Sequence, residues 1–207
     1  MAYSRRGFFG SPPGSKNDTG NFADDLNALI EYLGVEKFHI LGLAGGGFAV
    51  SDYVASYPEK LLSMTIVCSL FGLWDKNIDE RLDFILPKSF ADLPPEFKEL
   101  GPSYRWAHPE GVNEWIKMEK KSKGDGIRYR QKAKSNITWE KIRAANLPSF
   151  FIAGGAELYQ PPSMMRAAAL EIPNSQTLII HEAGHAVQWE QPELFNQAVL
   201  EFLNKHS

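Results

Sequence analysis

Apolar residues follow two different spacings along the first part of the chain. Between Asn21 and Gly34 they recur every three or four positions, which predicts a helix with a single apolar stripe. Asn21 is placed to cap the start of this helix and Gly34 to end it. Two uninterrupted apolar runs, at residues 39–43 and 61–69, predict buried strands, with a helix expected over residues 46–57 between them. Continuous apolar strands separated by helices favour a parallel sheet that is covered on both faces.

The pattern changes over residues 71–147, where charged residues, prolines and aromatic residues are mixed. Helical stretches broken by prolines predict a helical insertion between two strands of the sheet. A strand, a helix, a strand and a final helix then resume the alternation, at residues 148–153, from Pro162, at residues 176–180 and from Pro192. We therefore expect an α/β fold in which residues 1–70 and 148–207 form the core and residues 71–147 form a cap or lid.

Composition and charge argue against several classes of function. The 207 residues carry a formal net charge of −3 and the isoelectric point is about 6.0, so we expect no nucleic-acid partner. No apolar run reaches the roughly 18 residues of a membrane span, and no signal-peptide core precedes the first helix. The single cysteine, Cys68, cannot form an internal disulfide. These features predict a protein of a reducing, cytoplasmic compartment, with no membrane contact and no metal or other cofactor.

The first predicted strand runs into a sharp glycine turn that leads into a helix, with the sequence Gly42-Leu43-Ala44-Gly45-Gly46. A turn of the form Gly-x-Ser-x-Gly holds a nucleophilic serine on a strained backbone between strand and helix. Here Ala44 occupies the serine position, so the attacking oxygen is absent. The backbone N–H of Gly45 would point to the place where an oxyanion forms. A glycine-rich turn that binds phosphate is the alternative interpretation.

A carboxylate and an imidazole follow the last two predicted strands. Glu157 comes directly after the strand at residues 148–153, and His185 follows the strand at residues 176–180. A histidine and a carboxylate in these positions can form a hydrogen-bonded base and the acid that orients it. We expect the remaining histidines to be structural or exposed, at positions 39, 108, 181 and 206.

Four segments of the chain together resemble the α/β-hydrolase fold family, in the branch that contains lactonases, esterases and carbon–carbon bond hydrolases; they are residues 5–11, 42–47, 154–162 and 183–196. The resemblance implies that Ala44 stands at the nucleophile position, Glu157 is the acid, His185 is the base and Gly45 donates to the oxyanion. The chain departs from the family at Ala44 and in having glutamate where aspartate is more frequent. It also shows no counterpart of the family's first strands or of the loop that supplies the second oxyanion donor.

The resemblance implies a hydrolase for a small apolar ester, lactone or carbon–carbon substrate. With Ala44 in place of serine, the chain is expected to be inactive, or trapped with a substrate that it does not cleave. Two alternatives remain, a non-catalytic small-molecule binder or sensor and a lyase that uses His185 as its base. We expect aromatic side chains to line the substrate pocket, namely Phe71, Trp74, Trp106 and Trp189. A homodimer is a further expectation, because without the front strands residues 3–7 would expose an unpaired sheet edge.

Overall fold

The structure is a computed structural model that describes residues 1–69, 72, 84–123 and 129–207. The strands are β1 (Phe38–Leu43), β2 (Leu61–Val67), β3 (Ser149–Gly154) and β4 (Ser175–Ile180). The described helices are α1 (Phe22–Tyr32), α2 (Gly46–Ser56), α3 (Pro95–Glu99), α4 (Pro102–Ala107), α5 (Pro109–Ser122), α6 (Trp139–Ala144), α7 (Pro162–Leu170), α8 (Val187–Glu190) and α9 (Pro192–Lys205). Short 3-10 turns lie at Pro58–Lys60 and Lys88–Asp92.

The first helix begins and ends where the sequence predicts. The side-chain oxygen of Asn21 accepts a hydrogen bond of 2.8 Å from the backbone N–H of Asp24, which satisfies one of the free donors at the helix start. Leu26 and Ile30 form the buried stripe. Gly34 follows the helix with a φ of 65°, a left-handed conformation that glycine adopts without steric cost.

The four strands form one parallel sheet in the order β1-β2-β3-β4. At the carboxyl end of β1, Leu43 pairs with Val67 of β2, and Val67 pairs with Ile152 of β3. Ile152 in turn pairs with Leu178 of β4. Because all strands run in one direction, the turns that follow them leave from the same edge of the sheet.

Helices cover both faces of this sheet. Ile66 and Phe151 belong to the apolar cluster formed with α1, α2 and α7, whereas Val67 and Ile152 belong to the cluster formed with α9. Neighbouring residues of a strand therefore face opposite layers, as the twofold strand period requires. All six residues of β3 are buried. The predicted α/β fold with a parallel sheet is confirmed.

Helices α3 to α6 lie between β2 and β3 in chain order, where the sequence predicts a helical insertion. The division into a core and a cap at residues 70 and 148 stays a prediction. None of the helices in the described part of the chain is long and apolar enough to cross a membrane. The cytoplasmic location predicted from the sequence stays a prediction as well.

The outer edge of β1 is one of the two open sides of the sheet in the described part of the chain, and the outer edge of β4 is the other. Within the described part of the chain, β1 pairs with β2 alone. The sequence predicts an unpaired edge at residues 3–7, but residues 3–5 have no regular secondary structure and residues 6–7 form a turn rather than a strand. A cavity of about 780 Å³ runs along β1 and is lined by apolar side chains that include Tyr3, Leu26 and Val35. The unpaired edge on this side of the sheet is therefore that of β1, the strand that leads to Ala44.

Candidate active site

Ala44 lies at the tip of the turn between β1 and α2. Its φ of 47° falls in the left-handed region, which a residue with a Cβ rarely adopts. Its backbone N–H donates to the carbonyl of Val67 at 2.9 Å, so the turn is anchored to β2. The approach of strand and helix is close, because a Cβ on Gly42 would lie 2.5 Å from the carbonyl oxygen of Gly46. The backbone thus has the sharp strand-to-helix form that presents a nucleophile, although the side chain is a methyl group.

Glu157 and His185 are in direct contact. Nδ1 of His185 lies 2.6 Å from Oε2 of Glu157, and the two side chains are 9% and 0% exposed. The other carboxylate oxygen of Glu157 accepts a hydrogen bond of 2.8 Å from the backbone N–H of Tyr159. A carboxylate held in this way fixes the orientation of the imidazole and leaves Nε2 as the nitrogen available for chemistry.

A second carboxylate, Glu99 at the end of α3, approaches the opposite side of the imidazole. Oε2 of Glu99 lies 3.7 Å from Nε2 of His185. The hydroxyl of Tyr159 donates to Oε1 of Glu99 at 2.9 Å, and the ring of Tyr159 packs against the imidazole with centroids 4.7 Å apart. Sequence reasoning missed both residues. No local pattern marks Glu99, because it reaches His185 only through the path of the insertion.

A third carboxylate, Glu190 of α8, connects the insertion to the loop of residues 181–186, the histidine loop, which carries His185 between β4 and α8. Its two oxygens accept hydrogen bonds of 2.9 Å from the backbone N–H groups of Gly184 and Gly101. The backbones of these two glycines approach each other so closely that a Cβ on Gly184 would be 2.5 Å from the nitrogen of Gly101. The N–H of Ala186 also donates to the carbonyl of Glu99 at 2.9 Å. Glu190 lies within residues 183–196, a segment that resembles the hydrolase family, yet the sequence did not predict that it joins two loops.

The electrostatic surroundings of His185 favour the charged imidazolium. Burial alone would lower the pKa of His185, but the neighbouring carboxylates of Glu157, Glu99 and Glu190 outweigh burial and raise it. Burial raises the pKa of Glu190 to about 7, against the opposing effect of the two backbone N–H donors. His185 is therefore a stronger base than a histidine in water.

Among the described residues, one group of side chains brings together donor atoms of the kind that hold a metal ion. Donor atoms of Cys68, Glu157 and His185 lie within 4.8 Å of one another. A metal would have to break the 2.6 Å contact between Glu157 and His185. It would also have to remove a proton from the buried thiol of Cys68, whose pKa burial raises well above its usual value. The three residues therefore suit a hydrogen-bonded site better than a metal site.

The four aromatic residues predicted to line the substrate pocket do not share one environment. Trp106 is 90% exposed, so in this structure its side chain lies in solvent rather than in an enclosed pocket. Trp189 is half-buried on α8. Phe71 and Trp74 lie outside the described residues. Gly45 lines a cavity of about 900 Å³ whose aromatic wall is formed by residues that sequence reasoning did not single out, namely Phe8, Phe22, Phe48 and Tyr129.

Known proteins share this fold and sequence pattern. Residues 1–107 match the alpha/beta hydrolase fold family, and the chain belongs to that family. A dihydrolipoyllysine-residue acetyltransferase component of the acetoin cleaving system from Pseudomonas putida is 26% identical over 92% of this chain and 52% of its own length. An uncharacterized carboxylesterase (nap) from Bacillus subtilis is 24% identical over 91% of this chain and 65% of its own length.

The solved structure of a thermophilic esterase from Thermogutta terrifontis, with malate bound, superposes with a TM-score of 0.78. It is 25% identical, and the match covers 98% of this chain and 78% of that one. The chain thus spans between about half and two thirds of the length of the two curated relatives described above.

Proposed function

We propose that this chain carries a hydrolase site for a small apolar ester, lactone or carbon–carbon substrate. In this proposal Ala44 holds the nucleophile position, His185 is the general base, Glu157 orients it, and the N–H of Gly45 donates to the oxyanion. The observation that supports it most directly is the 2.6 Å contact between two buried groups, His185 and Glu157, at the sheet edge where β1 ends in a strained turn. Family membership supports the same assignment.

The chemistry of such a site needs an oxygen where Ala44 has a methyl group. A serine there would attack the carbonyl carbon, pass its proton to Nε2 of His185 and form an acyl-enzyme that water then cleaves. With alanine, His185 can act only as a general base toward water, an effect typically worth about 10²–10⁴-fold in rate. We therefore expect the chain to bind substrate and turn it over slowly.

The proposal is tested by Ala44→Ser, measured as hydrolysis of p-nitrophenyl acetate. Because losing the nucleophile of a serine hydrolase costs on the order of 10⁶ in turnover, we expect a gain of at least about 10³-fold. The matched control is Ala44→Ser combined with His185→Ala, which should lower the rate to that of the parent or below it, because the parent keeps His185 as a general base. A folded Ala44→Ser variant that is as slow as the parent would overturn the proposal, as would a double variant as fast as Ala44→Ser.

Ala44 itself favours a second candidate function, a non-catalytic binder or sensor of small apolar molecules. The cavity of about 900 Å³ beside Gly45 is large enough for such a ligand. This candidate predicts that an apolar ligand raises the melting temperature of the parent and of His185→Ala equally. A ligand-dependent shift that disappears in His185→Ala, or a product that forms only when His185 is present, would favour catalysis.

A further inference from the structure

The cavity beside Gly45 has an unusual balance of charge. Its cationic lining residues come from the N-terminal segment and from the stretch before α6, namely Arg5, Arg6, Arg130 and Lys132. No aspartate or glutamate is among the described residues that line it. The rest of the lining is mainly apolar and aromatic. Such a surface suits a ligand that combines an apolar body with a negative charge.

Arg6 is not available to such a ligand, because it already has a carboxylate partner. Its Nε and Nη2 donate to the two oxygens of Asp25, each at 2.6 Å. The side-chain nitrogen of Gln131 donates to the same carboxylate at 2.7 Å. The charge of Arg6 is therefore balanced within the fold.

Arg5 is in a different situation. Its guanidinium lies over the rings of Phe8 and Phe22, 4.8 and 5.4 Å from their centroids. Among the described residues none accepts a hydrogen bond from it, and burial lowers its pKa. Its terminal nitrogen would be 3.5 Å from a Cβ on Gly45, so the charge stands next to the turn that carries Ala44. A half-buried guanidinium that has lost water, and that gains no carboxylate among the described residues, carries a cost that a bound anion would offset.

We propose that the cavity binds a carboxylate ligand with an aromatic or apolar body, and that Arg5 pairs with its carboxylate. The planar guanidinium donates two parallel hydrogen bonds to a carboxylate, and the rings of Phe8 and Phe22 hold it in place. If the proposed hydrolase function holds, its substrate is an ester, lactone or carbon–carbon substrate that also carries a free carboxylate. The binding part of the inference stands without that function.

Ala44 allows the binding to be measured at equilibrium, because slow turnover leaves the ligand intact. The probes are naphthylacetate and its neutral amide, naphthylacetamide, titrated into the parent chain by isothermal calorimetry. Since a charge-assisted pair is about twice as strong as a neutral hydrogen bond, we expect the carboxylate to bind at least about tenfold more tightly than the amide. Arg5→Gln should abolish this preference and leave the affinity for the amide unchanged.

The matched control is Arg143→Gln, which removes one positive charge from an exposed ion pair with Glu171. It should keep the preference for the carboxylate. If Arg5→Gln does not fold, Arg5→Lys decides instead, because it keeps the charge and loses the two-pronged geometry; it should weaken carboxylate binding alone. Equal affinity for the two probes, no binding of either, or a preference that survives loss of Arg5 would overturn the proposal. The Ala44→Ser assay uses a neutral ester, so its outcome is separate.

Discussion

Ala44 keeps the backbone conformation of a nucleophile turn although it cannot act as a nucleophile. Its φ of 47° places its Cβ in a region that costs a residue other than glycine on the order of 1 kcal/mol. The hydrogen bond from its N–H to Val67 and the crossing of Gly42 over Gly46 hold the turn in this form. The strain is thus imposed by the surrounding strand and helix, whatever side chain stands at the position.

We expect Ala44→Gly to stabilise the protein by roughly 0.5–1 kcal/mol, because glycine adopts a positive φ without strain. The measurement is urea unfolding followed by circular dichroism. The same substitution in ordinary helix, Ala49→Gly in α2, is the control and should destabilise by about 1 kcal/mol or more. An Ala44→Gly variant less stable than the parent would show that the turn is not strained.

At the scale of single residues, the sequence identifies those that belong to a local motif. Ala44 and Gly45 stand in a glycine turn, and Glu157 and His185 each follow a predicted strand. Glu99 could not be found this way, because it meets His185 only where the insertion returns to the sheet. Arg5 was not predicted as a binding residue for a similar reason, because its position against Gly45 depends on how the N-terminal segment folds over the turn.

At the scale of elements, strong periodicity gave correct predictions and weak periodicity gave partial ones. The strands were predicted within about two residues of their observed ends, and the helices that flank them begin within about two residues of their predicted starts. The four-residue helix α8 was not predicted, because one turn of helix shows no apolar period. That short helix carries Glu190, which joins the histidine loop to the insertion through two backbone N–H groups.

Burial of the Glu190 carboxyl, which outweighs the effect of its two backbone N–H donors, predicts a pH-dependent contribution to stability. Its pKa is raised in the folded state from a usual 4.5 to about 7, so the carboxyl binds its proton more tightly folded than unfolded. Its stabilising contribution is complete below about pH 4.5 and is lost as the pH rises through about 7. Glu190→Gln, which no longer titrates, should lose this dependence.

Urea unfolding at pH 5 and pH 8 measures the effect. Glu190→Gln should also be less stable at pH 5 by about 1–3 kcal/mol, because one of the two buried N–H groups loses its acceptor. Glu193→Gln, an exposed change in the first turn of α9, is the control and should shift stability by less than about 1 kcal/mol. A Glu190→Gln variant whose stability relative to the parent is the same at both pH values would contradict the prediction.

At the scale of the whole molecule, the sheet ends in two outer strands, β1 and β4, and in the described part of the chain each pairs on one side only. Within the described residues β1 pairs with β2 alone, and the outer side of β1 faces the cavity of about 780 Å³. Leu41 of this strand is 36% exposed. An unpaired strand with apolar side chains can pair with the same strand of a second copy.

We expect the parent chain to associate as its concentration rises, and Leu41→Lys to reduce this association because a charged edge strand resists pairing. Light scattering coupled to size-exclusion chromatography measures the mass. Leu200→Lys, on an exposed position of α9, is the control and should leave association unchanged. A parent chain that remains monomeric at every concentration would contradict this expectation.

The sequence by itself determined the local architecture. Apolar spacing is a property of neighbouring residues, so it was enough to indicate the strands of the parallel sheet and the helices that flank them, and the glycine pattern indicated the turn at Ala44. The tertiary structure alone decided which further charges approach the pair formed by Glu157 and His185. Glu99 and Glu190 join Glu157 around His185 only because separate segments meet at one edge of the sheet, where burial makes their interactions strong. Those contacts join residues far apart in the chain, and no local pattern encodes them.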